Sequence, residues 1–192
     1  EDLEVTKIAE KPARYLNLIA SQRGHEGWIR AVAVSPDKRF IATSSQDKTV
    51  RRWSLPQGGE VGVLGGYGRG YYWSADAWSE SGGLTVFAGM GDGRIRALDG
   101  WTELPVPDWR EEGLGHTDSV RSISLSPDGK RLVSSSQDQT AIVWDAGTGK
   151  SLFTISGHKG EEGGTVYHAR FSPDGKRIVT ASNDGTAAVW SA

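Results

Sequence analysis

Three of the four histidines in this 192-residue chain precede a hydroxyl residue and then an aspartate at similar spacing. The sets are His25, Thr43 and Asp47; His116, Ser134 and Asp138; and His158, Thr180 and Asp184. These are the residue types that a hydrolytic triad combines as nucleophile, base and orienting carboxylate. Repetition argues against that chemistry. A constellation that returns with every copy of a repeat is accounted for by the repeat itself, so no catalytic residue and no enzyme is expected. Metal binding fares no better, because equivalent places in different repeats lie apart and the three histidines cannot share one ion. His168 falls outside the pattern and reads as a polar side chain on a strand. The chain has no cysteine, which removes disulfides, thiolate metal sites and a thiol nucleophile.

Two glycine-rich stretches invite other readings. Gly147-Thr148-Gly149-Lys150-Ser151 has the end of a phosphate loop, but the full spacing requires glycine where Trp144 stands, and no helix follows. It reads as a turn. Gly65-Gly66-Tyr67-Gly68-Arg69-Gly70, followed by Tyr71-Tyr72-Trp73, mixes glycine, arginine and aromatics as some nucleic-acid segments do. One arginine is too few for that role, so an inter-repeat loop is expected. No cofactor is expected.

The elements that must position these residues follow from composition and repeats. Glycine, 26 of 192 residues, is near twice its ordinary usage and leaves little room for long helices. Charge is balanced, 22 basic against 24 acidic, so nothing draws the chain generally toward nucleic acid or an anionic membrane. No apolar run is long enough for a membrane helix, and no signal segment opens the chain, so a cytoplasmic location is expected. The first residue is Glu1 rather than Met, so the chain reads as processed, trimmed or engineered.

Ser-Pro-Asp begins at Ser35, Ser126 and Ser172, Gly-His at Gly24, Gly115 and Gly157, and tryptophan recurs at Trp53, Trp144 and Trp190. The first and third series step by 91 and 46 residues, two periods and then one. The missing copy is weaker: "GLTVFAGMGDGRIRALD" aligns with "KRLVSSSQDQTAIVWD", matching Asp92 to Asp138 and Leu98-Asp99 to Trp144-Asp145. Four repeats of about 45 residues result. In the third, Val120 to Leu125 is apolar at alternate places with one irregular step, Pro127-Asp128-Gly129 turns, and strands follow at Arg131 to Ser135, Thr140 to Trp144 and Ser151 to Ile155. Short strands between glycine, proline and aspartate turns predict an all-β chain of four-stranded antiparallel sheets, stacked so that each covers its neighbour.

Gly-His, Ser-Pro-Asp-Gly, Ser/Thr-x-x-x-Asp-x-Thr and Trp-Asp in this order resemble the WD-repeat β-propeller family over roughly residues 14–192. The resemblance implies an N-terminal extension (1–13), a closing strand (14–24) and blades at 25–64, 65–112, 113–156 and 157–192. It also implies a hydrogen-bonded tetrad in three blades: His25, Thr43, Asp47 and Trp53; His116, Ser134, Asp138 and Trp144; and His158, Thr180, Asp184 and Trp190. The second blade has Ala88 at the hydroxyl position, lacks the histidine and tryptophan, and keeps only Asp92. There, aligning Trp78 with Leu125 sets Asp76 opposite Ile123, at a core-facing place. A buried lone carboxylate is costly, so either the register is one residue off or Asp76 faces the channel or a subunit contact.

Similar proteins dock others on the face that carries the Gly-His loops. Aligned positions there are Trp28, Ser119 and Thr165; Arg30, Arg121 and Tyr167; and Gln46, Gln137 and Asn183. Trp28, Arg30, Arg121 and Tyr167 are of the types that dominate interface energetics. The expected function is a non-catalytic scaffold that binds a protein or peptide partner through Trp28, Arg30, Gln46, Arg121, Gln137, Tyr167 and Asn183. The alternatives are an engineered or excised half-propeller that self-assembles without a native ligand and, more remotely, an enzyme that uses the propeller channel.

The last blade shows three strands, and Arg14 to Ala20 forms a strand with no blade of its own, so each end is expected to leave an open edge. Closing within one chain would need a four-bladed ring turning about 90° per blade, the small limit for propellers. Two copies exchanging first strands would close an eight-bladed ring as a homodimer, which is the expected assembly.

Overall fold

The computed structural model describes residues 23–55, 59–65, 72–80, 83–99, 102–103, 115–160 and 163–192. Among them fifteen strands form four antiparallel sheets. Sheet one holds β1 (Ile29–Val34), β2 (Phe40–Ser45), β3 (Thr49–Ser54) and β4 (Glu60–Gly65). Sheet two holds β5 (Tyr72–Glu80), β6 (Gly83–Met90), β7 (Ile95–Asp99) and β8 (Thr102–Glu103). Sheet three holds β9 (Val120–Leu125), β10 (Arg131–Ser136), β11 (Thr140–Asp145) and β12 (Ser151–Ser156). Sheet four holds β13 (Val166–Phe171), β14 (Arg177–Ser182) and β15 (Ala187–Ser191). Every sheet keeps sequence order, as short turns between antiparallel neighbours require. Residues 14–22 of the expected closing strand, the 1–13 extension and residues 66–70 of the glycine-arginine segment lie outside the described residues.

The Ser-Pro-Asp turns show how local chemistry joins the first two strands of a sheet. Ser126 Oγ donates to Asp128 Oδ1 at 2.6 Å and accepts the Arg131 amide at 2.9 Å. Asp128 Oδ1 accepts the Lys130 amide, and the Gly129 amide closes the turn on the Ser126 carbonyl. The same bonds recur around Ser35-Asp37 and Ser172-Asp174. Aspartate here serves the turn, not a ligand.

Sheets stack in chain order, and each junction joins the same two kinds of face. One face carries the tetrad hydroxyls. The opposite face of sheet one, with Ala33, Ala42 and Val50, packs on Val86, Ala88, Met90 and Leu98 of sheet two. Phe87, Ile95 and Ala97 of sheet two then pack on Ile123, Leu132, Ile142 and Trp144 of sheet three. Val133, Ala141 and Val143 of sheet three pack on Ala169 and Ile178 of sheet four. Alternation in each strand sends successive side chains to the two junctions, so both faces are apolar.

Sheet two corrects the alignment. Ala75 pairs with Ala88, and Asp76 with Phe87. In sheet three Ile123 pairs with Ser134, and Ser124 with Val133. Ala75 therefore takes the place of Ile123, and Asp76 that of Ser124: the register opposite Ile123 is one residue off. Matching Trp78 to Leu125 failed because β5 runs further than β9 and carries no tetrad landmark to anchor the count.

Candidate functional site

Each tetrad starts from an indole, buried at Trp53 and Trp144 and partly buried at Trp190. Trp144 Nε1 donates to Ser134 Oγ at 2.8 Å, Ser134 Oγ meets His116 Nε2 at 2.7 Å, and His116 Nδ1 meets Asp138 Oδ2 at 2.9 Å. Indole only donates, so the hydroxyl, having accepted that bond, gives its own proton to Nε2. The ring is then the Nδ1–H tautomer and donates to the carboxylate, an assignment inferred from the network. Trp53, Thr43, His25 and Asp47 repeat it at 2.8, 2.7 and 2.8 Å. Trp190, Thr180, His158 and Asp184 repeat it at 2.8, 2.7 and 2.9 Å.

The serine, histidine and aspartate contacts follow the order of a hydrolytic triad. What differs is access. Ser134 and His116 are both 0% exposed, and the serine oxygen already receives the indole N–H. A nucleophile needs a substrate carbonyl in that place. The network instead ties the loop before the first strand to the second and third strands of its own sheet.

The aspartates are held as anions. Burial alone raises the Asp138 carboxyl, but hydrogen bonds from His116, the Thr140 hydroxyl and the Thr117 amide outweigh it and bring the group to about 2. Asp47 also lies near 2, burial being outweighed by Thr49, His25 and the Glu26 amide. The Thr186 hydroxyl, aided by the Thr186 amide and His158, holds Asp184 well below the ordinary carboxylate range. In sheet two, Ala88 and Leu98 fill the hydroxyl and indole places with buried hydrocarbon. Among the described residues Asp92 keeps its local turn, accepting the Arg94 amide at 3.2 Å and facing the Arg94 guanidinium at 3.9 Å.

The docking residues lie at the Gly-His end of the first strands. Gln46, Gln137 and Asn183 each donate a backbone N–H to the carbonyl of Trp28, Ser119 or Thr165, at 2.9, 3.0 and 3.1 Å. Beside each contact the strand pairing slips by one residue: between Ile29 and Ala31, between Val120 and Ser122, and between Val166 and His168. The residues inside these bulges are Arg30, Arg121 and Tyr167. A bulge leaves its extra residue out of the ladder and re-aims its side chain. Arg30 lies over the Trp28 ring at 5.0 Å, and Arg121 lies 6.0 Å from the Tyr167 ring centre and bonds the Gln137 amide oxygen. Trp28 is 69% exposed and Tyr167 46%. The structure thus brings Arg121, Gln137 and Tyr167 together across sheets three and four, and Arg30 with Trp28 on sheet one. Gln46 and Asn183 join this end of their sheets through their backbone amides.

Sequence reasoning missed one position. The slip between Tyr72 and Ser74 puts Trp73 at the same bulge of sheet two. The one-residue misalignment hid it, although the irregular step seen in Val120 to Leu125 was the bulge's signature.

The family model "WD domain, G-beta repeat" matches residues 16–54, 111–145 and 149–191. The unmatched stretch contains sheet two, where the tetrad is lost. Apoptotic protease-activating factor 1 of Mus musculus is 30% identical over 169 residues, covering 70% of this chain and 13% of that protein. Nuclear distribution protein nudF 1 of Talaromyces marneffei is 29% identical, covering 80% of this chain and 31% of that protein. Autophagy-related protein 16 of Arabidopsis thaliana is 30% identical over 65% of this chain and 23% of its own length. The chain thus spans less than a third of the length of each of these relatives. With three family matches over more than half its residues, and four sheets joined by one recurring kind of junction, this chain belongs to the WD-repeat family.

Proposed function

We propose that the chain is a non-catalytic interaction scaffold whose partner, a protein or peptide, docks on the Gly-His face. WD-repeat proteins act generally as such scaffolds, and the relatives carry names from protease activation, nuclear distribution and autophagy rather than one shared reaction. The observation that carries the reading is the recurrence of the bulge, which turns Arg30, Arg121 and Tyr167 out of the ladder at the same end of three sheets. Arginine and aromatic side chains offer large rigid area and several donors in one place. Trp28, Gln46, Gln137 and Asn183 extend the surface around them. Changing Arg30, Arg121 and Tyr167 together to alanine is expected to abolish partner capture in a pull-down while circular dichroism and melting stay unchanged. Retained capture moves the contact to the rim or to the 65–70 segment.

A second reading concerns assembly as a homodimer by strand exchange. It is supported by the outer edge of β15, which has no neighbouring strand among the described residues, whereas β3 and β11 pair with β4 and β12. The 14–20 segment of a second copy is the strand proposed for that edge. Deleting residues 1–20 is expected to convert the dimer to a single-chain mass in light scattering after gel filtration. A dimer that survives the deletion rejects strand exchange.

A further inference from the structure

The bulge sets one residue of each first strand at the Gly-His end: Arg30, Trp73, Arg121 and Tyr167 in sheets one to four. Strands β1, β5, β9 and β13 lie side by side in that order, so the two arginines have sheet two between them. The contacts described above for these arginines are with neutral groups. Arg30 lies over the Trp28 ring, and Arg121 meets the Tyr167 ring and the Gln137 amide oxygen. Such contacts fix the plane of a guanidinium without cancelling its charge. On the surrounding loops Glu26 and Asp118 stand against Lys48 and Lys159, and Asp92 faces Arg94. The tetrad carboxylates are nearly buried and take donors at both oxygens, as at Asp138. The surplus charge of the described residues at this end is therefore positive, and it sits on Arg30 and Arg121.

We propose that the occupant of this face is an extended acidic peptide segment, which gives one carboxylate to Arg30 and a second to Arg121 as it passes over sheet two. This rests on the docking reading above and adds to it the chemistry of the partner. A carboxylate is planar and matches the guanidinium fork with two parallel hydrogen bonds. Stacked sheets lie about 10 Å apart, so two junctions separate the arginines by up to about 20 Å, which an extended peptide crosses in about six residues. Phosphate recognition instead gathers several arginines around one group. Arg30 and Arg121 have a whole sheet between them, so each answers to an anion of its own. Tyr167 stands one sheet beyond Arg121 and is 46% exposed. It offers rigid aromatic area to an apolar residue that follows the second carboxylate.

Panning a random twelve-residue phage peptide library against the chain tests this, with affinities of the selected peptides then measured by fluorescence polarisation. Enriched peptides are expected to carry two Asp or Glu residues about four to eight positions apart. Replacing either by its amide is expected to weaken binding about tenfold, as is raising the salt from about 50 to about 500 mM. Arg30→Lys and Arg121→Lys are each expected to weaken it several-fold with an unchanged circular dichroism spectrum, because lysine keeps the charge and loses the fork. Arg121→Glu is expected to abolish binding and to regain it with a peptide whose second carboxylate is exchanged for lysine. Peptides that need Arg30, Arg121 and Tyr167, shown by loss in the triple alanine variant, yet carry no paired carboxylates overturn the acidic partner and leave the docking face standing. Peptides that bind the triple variant equally well overturn both readings. A library that enriches no peptide overturns the extended segment as occupant and leaves the face to a folded partner.

Discussion

Asp138 is bound at both oxygens: Oδ2 takes His116 Nδ1 and the Thr117 amide, and Oδ1 takes the Thr140 hydroxyl and amide. Removing it strands a fully buried imidazole, so Asp138→Ala is expected to lower stability by about 1–3 kcal/mol. Asp92→Ala is expected to lower it distinctly less, because Asp92 accepts one turn amide and has no histidine to satisfy. Equal shifts in the denaturant midpoint at the two sites would remove the tetrad from the account of stability. The same carboxylates predict an acid response. Asp47 and Asp138 lie near 2 in the folded chain, below the ordinary 3.8, so the folded state binds their protons more weakly than the unfolded one. Their stabilisation is complete above about pH 4 and is lost as pH falls through 2. Urea midpoints measured from pH 6 down to pH 2 should fall, and Asp138→Asn should flatten part of that fall. The tetrads were legible in the sequence because residue type and repeat spacing mark them together. What the sequence did not show is that Ser134 is sealed, which separates it from a nucleophile.

Turns carry the next level, and among the three Ser-Pro-Asp turns the one in sheet one is imperfect. Gly129 and Gly175 both adopt φ of 68°, and the equivalent residue in sheet one is Lys38, at φ 59°. The left-handed conformation costs a residue with a side chain about 1–2 kcal/mol, while glycine adopts it freely at some cost in unfolded-state entropy. Lys38→Gly is therefore expected to stabilise the chain by about 0.5–1 kcal/mol, and Gly129→Lys to destabilise it by a similar amount. Thermal midpoints of the two variants moving in the same direction would contradict the turn argument. Strand positions in the third repeat were legible to within a residue, since hydrophobic alternation and turn residues are local signals. Sheet two was not. With Ala88 and Leu98 in place of hydroxyl and indole, its register depends on pairing partners that a linear reading does not supply, and Trp73 went unnoticed for that reason.

At the scale of the molecule, a sequence reading foresees that sheets stack but not which face meets which, because both faces of every sheet are apolar. The junctions answer that, and they also differ from one another in volume. The position held by Ala42 in sheet one is held by Phe87 in sheet two and by Val133 in sheet three. Across from these stand Met90 and Leu98 in the first junction, Ile123 and Trp144 in the second, and Ala169 and Ile178 in the third. Close-packed interiors tolerate neither a missing nor a surplus ring. The repeats are alike as folds yet keyed as neighbours, so their order is written into the chain like teeth cut for successive wards. Recombination that shuffles two of these blades would preserve every turn and every surviving tetrad and still fail at the seams, which limits the routes by which such an array can grow or trade parts.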